Sequence, residues 1–135
     1  MARQGFASRT GPAQFSINPS DELPVGVQLG WRLRALISTG EWTSGERLPS
    51  CRRLAEWAGV NVNTVRAVYG GLEEEGLVVS RQGQGTFVAD GVEPTPRLGE
   101  IATDALQRTR EAGLSPRDLA IVALARASIR RAGGR

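Results

Sequence analysis

Residues 61–76 read NVNTVRAVYGGLEEEG, and the way these side chains divide decides the fold. Val65, Val68, Tyr69 and Leu72 recur at i, i+3, i+4 and i+7, the spacing of one buried face of an α-helix. Asn61, Asn63, Thr64 and Arg66 crowd the first turn on the other side. They bring amides, a hydroxyl and a guanidinium, the groups that meet base edges and phosphates. Asn61 also suits an N-cap, and Gly76 a left-handed stop. The pattern predicts one helix with an apolar back and a polar leading turn.

Just upstream, Ser50 is placed to cap a short helix from Cys51 to Ala58, with Leu54, Ala55 and Ala58 on its inner face and Arg52 and Arg53 in its first turn. Gly59-Val60 closes it and the next helix begins at once. Two helices joined by a tight glycine-containing turn, the second polar at its start, form the helix-turn-helix pattern. Further upstream, Val25, Leu29, Leu33, Leu36 and Ile37 mark one face of a longer helix. Ser20-Asp21-Glu22 is read as its cap and first-turn acids, and Gly40 as its stop. Each of its buried leucines and its isoleucine should contribute roughly 1.5–3 kcal/mol before entropy is counted. Arg32 and Arg34 lie off that stripe, facing solvent or DNA.

Downstream of Gly76 the period changes. Residues 77–81 and 86–89 are β-favouring runs around Gln82-Gly83-Gln84-Gly85, which reads as a hairpin with a glycine-rich tip. Gly83 and Gly85 remove side-chain bulk, so the backbone can approach a narrow surface such as a minor groove. Arg81 and Gln84 flank that tip. Behind a helix-turn-helix such a hairpin is a wing.

Residues 91–97 read as a linker, and residues 98–131 as two more helices. The second has Ser115 as cap, Pro116 at the first position and Asp118 at the third, with Leu114 and Leu119 placed as a hydrophobic staple. Leu119 to Ala125 is apolar on nearly every face, so it must pack on the winged helix or on a second copy of the chain. Residues 1–19 read as a flexible arm in which Arg3 and Arg9 are more simply solvated than bound to phosphate.

Composition narrows the chemistry. The chain has 135 residues, no His and a single Cys, which leaves no disulfide framework and little for a transition metal to bind. No phosphate-cradling loop or paired-carboxylate setting accompanies these absences, so neither an enzyme nor a cofactor is expected. No apolar run spans a bilayer and the N-terminus lacks a secretory pattern, which makes the cytoplasm the expected location. All 17 basic residues are Arg, and the net charge is +3. That surplus lies in the tails: residues 21–90 hold seven Arg against nine acids. DNA binding must therefore rest on where the charges sit rather than on their sum.

The stretch GERLPSCRRLAEWAGVNVNTVRAVYGGLEEEGLVVSRQGQGTFV resembles the GntR family of bacterial transcription regulators. Shared elements are Leu48-Pro49-Ser50, Arg52, Leu54-Ala55, Gly59-Val60, Thr64-Val65, Leu72, Glu75-Gly76-Leu77 and the wing Gly83-Gln84-Gly85-Thr86-Phe87-Val88. Order and spacing hold over about residues 23–90. The Asn61-Val62-Asn63-Thr64-Val65 start is similar to the short YtrA-type branch, which ends in two dimerisation helices. The resemblance implies operator contacts from Arg52, Asn63, Thr64 and Arg66, and entry of Gln84 and Gly85 into the minor groove. The chain departs from the family pattern at Cys51, where an acid is frequent, and at Val62, where proline or arginine is frequent; Val62 suits a thymine methyl instead.

The expected fold is thus mainly α with a small β-hairpin wing. A winged helix-turn-helix over residues 20–90 is followed by a helical dimerisation segment over 98–131. The expected function is a homodimeric regulator, most simply a repressor, on an inverted-repeat double-stranded DNA operator. The candidate DNA-binding residues are Arg52, Asn61, Asn63, Thr64, Arg66, Arg81, Gln84 and Gly85. A winged-helix protein-interaction module and a plasmid replication or partition protein are the alternatives. Glu73, Glu74 and Glu75 are read as a solvated face, and Trp31, Trp42 and Trp57 as core or interface aromatics. Cys51, in a helix's first turn beside Arg52 and Arg53, has a setting expected to lower its thiol pKa; with no second Cys, a structural role outranks a redox switch.

Overall fold

A computed structural model of the protein describes residues 15–133, with side chains as far as Ser128. The chain divides into two units, one ending at Pro96 and one beginning at Arg97. The first holds α1 (Val25–Ser38), α2 (Cys51–Ala58), α3 (Val62–Glu74), β1 (Val78–Arg81) and β2 (Gly85–Val88). The two strands form an antiparallel hairpin in which Val78 faces Val88 and Arg81 faces Gly85.

The core of this unit is built from the faces that periodicity selects. Leu29, Leu33, Leu36 and Ile37 of α1, Leu54, Ala55 and Ala58 of α2, and Val65, Tyr69 and Leu72 of α3 are all buried, joined by Val78 and Val88 of the hairpin. Val68 is only partly buried. It lies toward α1 at Gly30, where an added Cβ would meet it at 3.8 Å. The caps act as expected at the two shorter helices. The Ser50 hydroxyl accepts the Arg53 N–H at 3.1 Å, and the Asn61 side chain accepts the Asn63 N–H at 2.7 Å. Gly59, at φ +68°, ends α2 in the left-handed region, which only glycine enters at low cost. The turn into α3 can therefore be this short.

Three expectations need correction. First, α1 starts at Val25 after Pro24 and has no side-chain cap; Asp21 instead accepts the Leu23 N–H in a local turn. Second, Phe15 is fully buried, stacked on Trp57 at 5.9 Å and tilted against Trp42 at 6.1 Å. An aromatic ring loses water contact there, so the arm does not extend to residue 19. Arg3 and Arg9 lie outside the described residues. Third, the acidic run is not simply solvated. Glu75 forms an ion pair with Arg34 of α1, and Glu73 accepts from the Ser80 N–H and hydroxyl at 3.3 and 3.2 Å. Of the tryptophans read as core or interface aromatics, Trp42 is in the core at 2% exposed and Trp31 is 53% exposed.

The second unit holds α4 (Pro96–Glu111), apart from its first residue, and α5 (Pro116–Gly133). The Ser115 hydroxyl accepts the Arg117 N–H at 3.1 Å, so the capping expectation holds, while Leu114 is 64% exposed and adds little as a staple. No residue of α4 is buried, and Leu98, Ile101, Ile121, Val122 and Leu124 are all about half exposed. Among the described residues, no helix is long and apolar enough to cross a membrane.

Candidate nucleic-acid interface

A buried hydrogen bond helps hold α2 against α3, beside the apolar core the two helices share. The Tyr69 hydroxyl donates to the Pro49 carbonyl at 2.6 Å, tying the third turn of α3 to the residue before the α2 cap. Burial raises the Tyr69 pKa above that of a free phenol, so the hydroxyl keeps its proton and donates at neutral pH. With the back of α3 held this way, its leading turn faces outward. Asn61, Asn63 and Arg66 are exposed, and Thr64 is half-buried.

These four side chains are not equivalent. The Asn61 carboxamide oxygen accepts one bond as the cap, which leaves its side-chain nitrogen and a second lone pair to face a ligand. Asn63 accepts from Arg66 Nη1 at 2.9 Å, which draws the guanidinium back along the helix toward its leading turn. Thr64 leans toward α1: a Cβ added to Gly26 would lie 3.4 Å from its methyl. An open groove of about 540 Å³ runs here between the start of α1 and α3, lined by Pro24, Gly26, Val27, Asn63, Thr64, Ala67 and Val68. Arg66 also lies close enough to the start of α2 for its charge to act on the Cys51 thiol. Arg52, the next residue, is exposed on the same short helix.

Cys51 itself departs from expectation. Its pKa is raised, because burial outweighs the pull of Arg66. The thiol is therefore less reactive than its sequence position suggests, and its structural reading gains.

At the wing, β1 and β2 are joined by Gln82, Gly83 and Gln84, with the Gln84 N–H donating to the Arg81 carbonyl at 2.9 Å. Gly83 sits at φ +75° and has no atom within 4 Å of an added Cβ, so its glycine serves the turn. Gly85, at φ +121°, differs. A Cβ there would lie 2.9 Å from Arg47 Nε. Arg81 does not point freely at the tip: its guanidinium lies 4.6 Å from the centre of the Phe87 ring and 3.9 Å from Asp90.

The family model for bacterial regulatory proteins, gntR family, matches residues 26–88. YtrA of Bacillus subtilis, an HTH-type transcriptional repressor, is 33% identical over 87 residues, covering 64% of this chain and 67% of that one. YhcF of the same organism, an uncharacterised HTH-type regulator, is 30% identical over 71% of this chain and 84% of its own. The chain belongs to the GntR family. It is a YtrA-like member of that family of DNA-binding transcription regulators. Similarity to the longer regulator Rv0792c of Mycobacterium tuberculosis is higher, 46%, but spans 53% of this chain and only 26% of that protein.

Solved structures agree with the GntR assignment. YtrA of Sulfolobus acidocaldarius, 33% identical, superposes with a TM-score of 0.52 over 69% of this chain and 97% of its own. The AraR DNA-binding domain in complex with operator ORX1 is 34% identical, with a TM-score of 0.50 over 53% of this chain and 89% of its own. Within this fold, the polar turn of α3 is one contiguous cluster, and Arg81 and Gly85 are partners across the hairpin. Sequence reasoning passed over Arg47. The only local signal was that Leu48 precedes Pro49 and is therefore held extended, so the segment can run beside a strand.

Proposed function

We propose that the protein is a sequence-specific, homodimeric DNA-binding regulator. It places Asn61–Arg66 of α3 in a major groove and the Gln84-Gly85 wing in the adjacent minor groove. The observation that carries this reading is the division of α3: Tyr69, Val65 and Leu72 anchor one side, while the tethered Asn63–Arg66 pair stands exposed at the leading turn. Helix termini with exposed polar groups suit phosphate and base-edge contact, and Arg52 adds a cation from α2. Repression is the favoured direction, since the similar YtrA of Bacillus subtilis is a repressor. The cytoplasm, where the chromosome is, is the corresponding location.

Dimerisation is assigned to residues 98–131. Leu98, Ile101, Ile121, Val122 and Leu124 offer an apolar surface that a second copy would cover, and a two-fold dimer calls for an inverted repeat. The rival role, a winged-helix module that binds protein through its acidic run, loses support because Glu73 and Glu75 are engaged within the chain. A replication or partition role shares the DNA chemistry and differs in target. The test is to select bound fragments from genomic DNA and titrate them against salt. Log affinity should fall with log salt at about −0.9 per phosphate neutralised, and a flat response would refute DNA binding. Removing residues 98–135 should leave a monomer with weak operator binding; a truncated chain that stays dimeric would place the interface elsewhere.

A further inference from the structure

Arg47 lies on the connection between α1 and α2, which pairs with the outer edge of β2 through a single antiparallel bridge. The Leu48 N–H donates to the Thr86 carbonyl at 2.8 Å, the Val88 N–H to the Glu46 carbonyl at 2.8 Å, and the Gly45 N–H to the Val88 carbonyl at 2.9 Å. Arg47 is thereby bridged to Phe87 on the edge of β2 opposite to β1. Residues paired across strands share a face, and so do residues two apart along one. Arg47, Phe87, Gly85 and Arg81 therefore occupy one face of the wing.

The two arginines on that face are differently committed. Arg81 is laid over Phe87 and paired with Asp90. Arg47 is exposed and, among the described residues, in no ion pair; its Nε and Nη2 would lie 2.9 and 3.2 Å from a Cβ at Gly85. Any larger residue at 85 would push the guanidinium away and would also be strained at φ +121°. The φ of +121° is what favours glycine at 85, and the Arg47 head group lies in the space beside it.

We propose that Arg47 is a DNA-contacting residue of the wing, its guanidinium entering the minor groove alongside Gly85. This inference rests on the DNA-binding reading above. The chemistry is that of arginine in a narrow A·T minor groove, where the closely spaced phosphates deepen the negative potential. The backbone bonds that flank Arg47 anchor its main chain to β2, so less freedom is lost on binding than for an arginine on a free arm. Arg81 is engaged with Phe87 and Asp90, and Arg47 supplies the charge.

The test uses the full chain and an operator fragment selected from genomic DNA by the wild-type protein, with affinity followed by fluorescence anisotropy across a salt series. Arg47→Ala should weaken binding roughly ten- to a hundredfold and reduce the salt slope by about 0.9, while thermal unfolding stays close to wild type. Replacing A·T pairs at the wing position by G·C should weaken the wild type and leave Arg47→Ala nearly unaffected. Arg47→Lys should recover the salt slope but only part of the affinity, since its ammonium lacks the planar fork. If wild type binds selectively and Arg47→Ala matches it in affinity and slope, the proposal is wrong and the DNA-binding reading stands. A variant that loses affinity but keeps both the slope and the A·T preference also overturns it. If wild type selects no fragment, both readings fall together.

Discussion

Tyr69→Phe is the most informative single change, because it removes one hydroxyl and little else. The lost bond, 2.6 Å to the Pro49 carbonyl, is buried, with Tyr69 6% exposed and Pro49 among the fully buried residues. Phenylalanine keeps the ring contacts but leaves that carbonyl without its donor, a penalty of about 1–3 kcal/mol. In a domain of this size that corresponds to a fall in melting temperature of about 4–8 °C for each kcal/mol. The same phenol makes a pH prediction. Its folded pKa is raised by burial, so its contribution is fully present below the unfolded pKa of about 10 and is lost as pH rises beyond it. Since Tyr69 is the only tyrosine, phenolate absorbance reports this one group. The native protein should show no phenolate signal until alkaline unfolding exposes the ring, and the signal should follow the loss of helical circular dichroism. Tyr69→Phe should be less stable at neutral pH and lose less stability on the alkaline side. A phenol that titrates at its ordinary pKa in folded protein, or a variant within about 0.3 kcal/mol of wild type at pH 7, would refute the idea that this bond helps hold α2 against α3.

Ser50→Ala removes the α2 cap and should cost about 0.5–2 kcal/mol in denaturant titrations, with operator affinity falling as α2 frays around Arg52. Gly59→Ala forces a side chain into the left-handed region at φ +68° and should cost about 1–2 kcal/mol, seen as an earlier thermal transition. Glu75 has its carboxyl pKa lowered, chiefly by the Arg34 hydrogen bond. Its contribution is present above the unfolded carboxylate pKa and lost as pH falls through the folded one. Glu75→Gln should therefore flatten the acid limb of the stability curve, and added salt should shrink its difference from wild type. An unchanged acid limb would show that the exposed pair contributes nothing.

What the sequence determined by itself was local. The buried stripes of α1, α2 and α3, the caps at Ser50, Asn61 and Ser115, and the period change at Gly76 depend on neighbours within about one helical turn or on strand alternation, so they can be read from spacing. The order of these elements was enough to suggest the winged helix and its family. The tertiary structure decided which polar groups remain free. Arg34 and Glu75 are 41 positions apart, and nothing in either helix alone marks them as partners. Phe15 looked like part of a tail until Trp42 and Trp57 enclosed it, while Trp31 stayed in water. Cys51 carried helix-start and arginine signals that favour a thiolate, yet partial burial raised its pKa, because desolvation depends on what packs nearby and not on sequence neighbours. The wing shows the same limit. Gly83 and Gly85 look alike in sequence, but one lies in open space at a turn and the other lies against Arg47, since only the bridge from the α1–α2 connection brings that guanidinium to the hairpin.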